Sequence, residues 1–378
     1  MSKIKVGFLS AHNYFDYNTS SGTPYRMYKA LKNQNIEIIN LGYPHKVSFW
    51  EKLKKRLLNP SLSVHGNLSE NIVNWQNFGK LIEKQLRNKP CDIIFAPFAS
   101  REVAFLETNI PIIYSSDITF KLLQNYYRSD FSANESKWRE KIELDSINKS
   151  RRLVYPSQWA AQSAINDYQA PLSKISIVAY GANLDNPPKT EEVLQRRKSL
   201  SPCRLLFIGK DWQRKGGDIA VETLNILNSR GFNTSLTMVG SVPPSPIDND
   251  KLTIIPFLDK NSPTQRQKFN QLFWDCNLFI FPTRADCSPI SICEANAFGL
   301  PVISSNVGGI PDIVTEGKNG YLIDISATPE DYANSIEQLI KNPHVYEELI
   351  INSRNEYETK LNWDKWAEQI YVICSLFL

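Results

Sequence analysis

Asp286-Cys-Ser-Pro-Ile-Ser-Ile-Cys-Glu294 runs into Ala295-Asn-Ala-Phe-Gly-Leu-Pro-Val-Ile303, and Asn306-Val-Gly-Gly-Ile-Pro-Asp312 follows two residues later. The apolar run 278–282 before this stretch reads as a strand. Ser288 is placed as an N-cap, Pro289 as the first helical residue and Gly299 as the residue that ends the helix; 301–304 is the next strand. The same alternation of short apolar runs and longer helical patterns extends in both directions. Upstream, 5–10, 37–41, 92–96, 110–115, 152–156 and 175–178 read as strands, with helices such as 23–33, 72–87 and 158–168 between them. A break rich in proline and turn-forming residues at 181–189 precedes a restart with strands at 204–208, 235–239, 252–256 and 278–282 and helices at 218–229 and 264–275. Alternation of this kind predicts parallel sheets covered on both faces, here in two doubly wound α/β domains.

The opening stretch also carries chemistry. A helix start in front of a parallel strand presents free backbone N–H groups and the positive end of a dipole, so the backbone at 289–291 is a natural anion site. Glu294 lies four residues after Ile290 on the same helix face, and helical side chains lean toward the N-terminus, so its carboxylate points at the same ligand. Asp286 stands in the turn before the helix. Two acids flanking an anion site suit a molecule with a ribose diol at one end, a hexose diol at the other and a diphosphate between. The plain alternative, a solvated helix acid beside an ordinary turn acid, is weakened by context. The strand at 301–304 leads to Gly308-Gly309, read as a second anion-friendly turn. A third such turn follows the strand at 204–208, where Gly209, Gly216 and Gly217 admit close approach and Lys210, Arg214 and Lys215 offer positive charge.

Composition narrows the class. A chain of 378 residues with 42% apolar content buries a sizeable core, and 43 basic against 39 acidic residues leave a net charge of +4, too small to imply nucleic-acid binding. Six cysteines without metal-ligand spacing argue against a zinc site or a disulfide framework. The apolar run after Lys3 and Lys5 is too brief for a signal peptide, no stretch reaches the length of a membrane span, and a cytoplasmic location is expected. Segment 45–60 places Phe49, Trp50, Leu53 and Leu57 on one helical side and Lys52, Lys54, Lys55 and Arg56 on the other. It reads as a surface helix packed on its own domain or as a peripheral contact with the inner face of a membrane. The acids of Asp248-Asn-Asp250 sit in a proline-rich loop and read as solvated, so no metal is expected.

On the Asp286–Glu294 segment with its following Ala-Asn-Ala-Phe-Gly-Leu-Pro-Val, on Gly308-Gly309 and on the basic turn ending at Lys215-Gly216, the chain resembles the retaining, nucleotide-sugar-dependent glycosyltransferases of family 4, the group 1 type. Ser21-Gly22-Thr23, Tyr155-Pro-Ser157, the segment 178–185 and the tail around Trp363 and Trp366 support the resemblance, which spans essentially the whole length. It implies the GT-B fold: a Rossmann-like acceptor-side domain over 1–182, a nucleotide-sugar-binding domain over 183–362, and a helix at 363–378 returning to the first domain. It further implies that Glu294 holds ribose hydroxyls and Asp286 those of the transferred sugar. Lys215 and Lys210, beside Gly209 and Arg214, neutralise the diphosphate, Ile290 and Ser291 after Pro289 donate backbone N–H groups to it, Phe257 lies beside the base, and Gly22 and Thr23 close on the phosphate. His12 and Ser116 are expected on the acceptor side, His12 having the alternative of an ordinary loop residue.

Three positions depart from the family pattern: Asp286 where Glu is usual, Lys210 where Arg is usual, and Asp117 where His is common. An anionic Asp117 near the reacting carbon can stabilise oxocarbenium charge or orient the acceptor, but cannot copy a neutral imidazole. The resemblance implies transfer of a hexosyl group from a nucleoside diphosphate sugar to a hydroxyl of a glycan, a lipid-linked molecule or a small molecule, with the leaving phosphate oxygen taking the acceptor's proton. The alternatives are a non-catalytic nucleotide-sugar-binding protein of the same fold and a sugar-nucleotide epimerase or phosphorylase. A nicotinamide dehydrogenase is disfavoured because Gly7-Phe-Leu-Ser-Ala-His12 lacks the dinucleotide fingerprint.

Overall fold

The computed structural model describes residues 3–17, 19–42, 68–195 and 199–378; segment 45–60 lies outside the described residues. Two six-stranded sheets form, parallel throughout. The first contains β1 (Ile4–Leu9), β2 (Ile36–Gly42), β3 (Ile93–Pro97), β4 (Ile112–Ser115), β5 (Arg152–Tyr155) and β6 (Ile175–Ile177), in the order β2-β1-β3-β4-β5-β6. The second contains β7 (Cys203–Ile208), β8 (Thr234–Val239), β9 (Leu252–Ile255), β10 (Leu278–Phe281), β11 (Val302–Ser305) and β12 (Gly320–Ile323), in the order β12-β11-β10-β7-β8-β9. Central strands such as β3 and β10 are buried along their whole length, which is why they read as unbroken apolar runs.

Strand order places the site. In the second sheet the winding reverses between β7 and β10, and the loops leaving these two neighbours splay apart above the carboxyl edge, opening the crevice in which doubly wound sheets bind ligands. The quoted stretch and the basic turn are those two loops. The helix after β10 spans Ile290–Ala297, so Pro289 occupies the cap position and not the first helical one. The physical reason lies one turn earlier. The Ser288 N–H donates to the Asp286 carboxylate at 3.2 Å, and this local turn takes the chain past Ser288 before the helix begins.

The last helix, Trp363–Ser375, crosses back to the first sheet as expected. It starts on Asn362, whose side chain accepts from the Lys365 N–H at 2.9 Å, and its inner face joins one apolar core with Phe8, Ile93 and Phe95 from β1 and β3. Trp366 is fully buried with its ring 5.7 Å from that of Phe95. Trp363 stacks on Tyr180 and donates to the Asn183 side chain at 2.8 Å. The preceding helix, Pro343–Thr359, instead packs against the second sheet, with the Tyr346 hydroxyl on the Asn277 carbonyl at 3.0 Å. Asp185, in the segment joining the halves, pairs with Arg26 at 3.0 Å, Lys29 at 3.2 Å and Arg266 at 3.3 Å. Burial by itself raises the Asp185 pKa, but Arg26, Lys29 and Arg266 together hold it below the usual carboxylate value. Replacing Trp366 by Ala removes the largest side chain of the shared core and is expected to lower the unfolding free energy by about 3–5 kcal/mol, read as a lower urea midpoint at unchanged slope.

Candidate functional site

A cavity of about 410 Å³ lies between the carboxyl ends of the two sheets. The first sheet contributes Ser20, Ser21 and Thr23 after β1 and Asp117 after β4; the second contributes Gly209, Lys210, Arg214 and Lys215 after β7, Phe257 and Lys260 after β9, and the 286–291 turn with Glu294 after β10. Asp117, Thr23, Gly209, Lys210, Arg214, Lys215, Phe257, Asp286, Pro289, Ile290, Ser291 and Glu294 are thus brought to one space from distant parts of the chain. Gly22 is buried beneath the Tyr17 carbonyl and does not line this cavity, although Thr23 beside it does. His12 and Ser116 open on a second cavity of about 360 Å³ that shares Asp117 with the first.

Lys215 is at the centre. Its ammonium forms a buried ion pair with the Asp286 carboxylate and lies 4.9 Å from the centre of the Phe281 ring. A side chain at Gly209 would meet the Lys215 stem at 2.8 Å, so glycine there is what lets the lysine cross the turn. Burial lowers the Lys215 pKa while the charge of Asp286 opposes the change. Arg214 donates to the Ala285 carbonyl at 3.0 Å and lies 5.3 Å from the Tyr127 ring centre; Lys210 is exposed at the rim. Arg214 and Lys215 belong to a helical turn initiated by Asp211, whose carboxylate accepts the Arg214 N–H at 3.0 Å.

Glu294 is 1% exposed and points along the helix toward its start, where Lys260 donates to it at 2.8 Å. Burial raises the Glu294 pKa, and Lys260 counteracts this. Lys260 in turn lies 3.8 Å above the Phe269 ring. Neither Lys260, Tyr17, Tyr127 nor Cys287 was anticipated in the sequence analysis. A signal existed for Lys260, since it is a basic residue in the turn after a strand, the rule that selected Lys210. No signal pointed to Tyr127, which follows the helix Phe120–Tyr126.

The Asp286 turn is gripped from four directions. Its N–H donates to the Tyr126 hydroxyl at 3.2 Å, its carbonyl accepts the Gly309 N–H at 3.2 Å, and its carboxylate accepts from Lys215 and from the Ser288 N–H. The Tyr127 hydroxyl meets the Cys287 sulfur at 3.1 Å. Gly308-Gly309, which the sequence reads as an anion-friendly turn, does not line the cavity. Gly308 has φ +56°, and a Cβ there would stand 1.9 Å from the Asp286 carbonyl; at Gly309 the same clash occurs with Cys287. The pair is glycine because the backbone of the Asp286 turn rests directly on it. Ser288 Oγ is buried without a hydrogen-bond partner, and Ser20 and Ser21 at the opposite wall have positive φ, local strain of the kind found at binding sites.

Asp117 is half-buried between the two cavities. Desolvation raises its pKa to about 6, with the nearby charge of Asp286 adding to the effect. Behind it, burial raises Glu102 to about 7 and Glu143 to about 8, the latter accepting from the Tyr114 hydroxyl at 3.2 Å. Asp248 and Asp250 are exposed, and among the described residues no three His, Cys, Asp or Glu side chains are grouped to hold a metal ion. No helix among the described residues is long and apolar enough to cross a membrane.

Comparison with known proteins agrees with this architecture. Residues 202–342 match the family model described as glycosyl transferases group 1. The chain is 23% identical over 274 residues to a D-inositol 3-phosphate glycosyltransferase of Paenarthrobacter aurescens, covering 68% of this chain and 66% of that protein. The curated relatives it matches are thus covered over less than two thirds of their length. Among solved structures, a sucrose-phosphate synthase from Thermosynechococcus elongatus superposes with a TM-score of 0.69 at 14% identity, covering 99% of both chains. Anabaena Alr3699/HepE in complex with UDP and glucose superposes with a TM-score of 0.65 at 14% identity, covering 98% of this chain and 99% of that one. The fold is GT-B, and within it residues 202–342 carry the likeness to the group 1 glycosyl transferases.

Glu143 gives a test of the buried acids. Its folded pKa of about 8 lies above the ordinary 4.5, so the folded state holds a proton that the unfolded chain has lost. Its contribution is therefore fully present below pH 4.5 and is lost as pH rises toward 8. Glu143→Gln, which mimics the protonated acid, is expected to flatten the fall in unfolding free energy between pH 5 and 8.5 in urea titrations. A slope identical to that of the parent would contradict the assignment.

Proposed function

We propose that the protein is a retaining glycosyltransferase that moves a hexosyl group from a nucleoside diphosphate sugar to an acceptor hydroxyl without a metal ion. The observation that carries this reading is the convergence, in one interdomain cavity, of a basic turn, a helix start and the two acids Asp286 and Glu294. The class named by the group 1 family match and a GT-B neighbour solved with UDP and glucose support the donor class.

In this reading the donor exchanges partners with the resting site. Lys215 leaves Asp286 for the diphosphate, joined by Lys210, Arg214 and the N–H groups of Ile290 and Ser291; Pro289 has no N–H and only shapes the turn. Asp286, released, accepts sugar hydroxyls, and Glu294 accepts those of the ribose, with Lys260 opposing the rise in pKa that burial imposes on it. Phe257, 59% exposed at the rim, is free to stack on the base. Tyr127 and Cys287 are held in their neutral forms by burial and serve as walls, not bases. Catalysis then consists of positioning and of charge stabilisation at the leaving diphosphate, whose own oxygen receives the acceptor proton. Asp117 faces the space where the reacting carbon would lie and, when ionised, opposes its positive charge.

Screening nucleoside diphosphate sugars by mass spectrometry for slow hydrolysis identifies the donor without knowledge of the acceptor. With that donor, Lys215→Ala is expected to raise the barrier by about 2–4 kcal/mol, seen in the turnover rate. A donor that binds in calorimetry but is neither hydrolysed nor transferred would instead favour a binding protein of the same fold. Turnover is expected to persist in excess chelator; loss restored by Mg2+ or Mn2+ would end the metal-independent reading.

A further inference from the structure

Between β9 and the helix Pro263–Asp275 the chain makes a short turn that brings one cation to the first cavity. The Asp259 carboxylate accepts the Asn261 N–H at 2.9 Å, the Asp259 carbonyl accepts the Ser262 N–H at 3.0 Å, and the Asp259 N–H donates to the Gln265 side chain at 2.8 Å. Arg266 donates to the Lys260 carbonyl at 2.9 Å, and its guanidinium also pairs with Asp185 at 3.3 Å. The backbone on both sides of Lys260 is thereby fixed, and its side chain joins the cavity wall with Phe257.

The Lys260 ammonium donates to Glu294 Oε1 at 2.8 Å and lies 3.8 Å above the Phe269 ring centre. Among the described residues this is the one hydrogen bond that the Glu294 carboxylate accepts. The other charged or titratable groups that face Glu294 are engaged elsewhere. Arg26 pairs with Asp185 at 3.0 Å and donates to the Leu184 carbonyl at 3.0 Å, the Tyr17 hydroxyl donates to the Asn183 carbonyl at 3.0 Å, and the Cys293 thiol faces the Tyr180 carbonyl at 3.5 Å. A carboxylate sealed from water thus has a single direct counter-charge, which holds one of its oxygens and leaves the other to a ligand entering the cavity.

We infer that Lys260 is a positioning residue of the donor site: it fixes one oxygen of Glu294 and matches its charge, so that the other oxygen selects ribonucleoside over deoxyribonucleoside diphosphates. This rests on the transfer reading, in which Glu294 meets the ribose. A ribose hydroxyl donates to the carboxylate, and a hydrogen bond to an ionised acceptor is about twice as strong as a neutral one. A deoxyribose brings a carbon there instead, which displaces water and leaves the oxygen unpaired in a buried position. The discrimination therefore depends on the charged acid. Burial raises the Glu294 pKa and Lys260 opposes the rise, so removing the ammonium moves the titration of Glu294 upward. The rival role, a further cation for the diphosphate beside Lys215, would weaken ribo and deoxy ligands alike, because both carry the same phosphates.

The test titrates the full chain calorimetrically with UDP, GDP and ADP and with the 2′-deoxy and 3′-deoxy form of each, between about pH 6 and pH 9. The parent is expected to bind one of the three at least tenfold tighter than one of its deoxy forms; the ratio cancels the ionisation of the diphosphate, which both ligands share. The ratio should rise with pH as Glu294 ionises. Lys260→Met should cut it at least threefold at pH 7 and move its rise upward by at least one pH unit, whereas Lys260→Arg, which keeps the charge, should stay within threefold of the parent. In Glu294→Gln the ratio should fall to within threefold of unity at every pH, and adding Lys260→Met should lower it no further. A ratio near unity in the parent would overturn the inference whether or not the variants fold, as would a ratio and pH profile unchanged in Lys260→Met. So would equal weakening of ribo and deoxy ligands in that variant, which would assign the lysine to the diphosphate or to structure alone. If Lys260→Met does not fold, Lys260→Gln carries the same comparison. If none of the three diphosphates binds, the transfer reading fails and takes this inference with it; binding without discrimination leaves the transfer reading standing and removes only the role of Lys260.

Discussion

The buried pair of Lys215 and Asp286 is the interaction around which the site is arranged. Each side chain is nearly sealed from water, so neither charge is tolerable alone, and removing one partner would leave the other uncompensated in a low-dielectric space. The surrounding backbone keeps the two in register. Gly209 allows the lysine to cross its turn, and Gly308-Gly309 supports the Asp286 turn from below. Such a pair is a poor source of stability; in the transfer reading proposed above it is a resting state, in which the donor diphosphate replaces Asp286 as the partner of Lys215 and frees the same carboxylate for hydroxyls.

The site also depends on how the halves of the chain are joined. Tyr126 receives the N–H of Asp286 from across the interface, and the Gln158 N–H, at a helix start in the first half, donates to Asp312 at 3.0 Å. The final helix covers the core of the first sheet with Trp366, and Trp363 anchors Asn183 in the connecting segment. Asp185 gathers Arg26, Lys29 and Arg266 from both halves. These contacts cluster near the connection and at one wall of the cavity. The 410 Å³ space is therefore bounded by two bodies whose relative position is set by a few polar contacts and one apolar helix.

Asp117 connects two kinds of environment. Toward the first cavity it meets the charge of Asp286; toward the second it adjoins Glu102 and Glu143, which burial raises to about 7 and about 8.

Much of this was legible in the sequence, and the limits follow from physical range. Apolar runs of strand length, turn glycines and the spacing of Asp286 and Glu294 are local, and local sterics determined from them the parallel sheets, the helix after β10 and the shared direction of Glu294 with its helix start. The sequence alone also marked Lys210, Arg214 and Lys215 as one basic turn. It could not reveal that Lys215 rests on Asp286, or that Lys260 rests on Glu294, because those partners are separated by 71 and 34 residues and meet only when β7, β9 and β10 align. Gly308-Gly309 was misread as a ligand turn for the same reason: a backbone packed against backbone leaves no trace in spacing. Tyr127 was missed because its place at the cavity wall, against Cys287 and Arg214, is a property that tertiary packing decides.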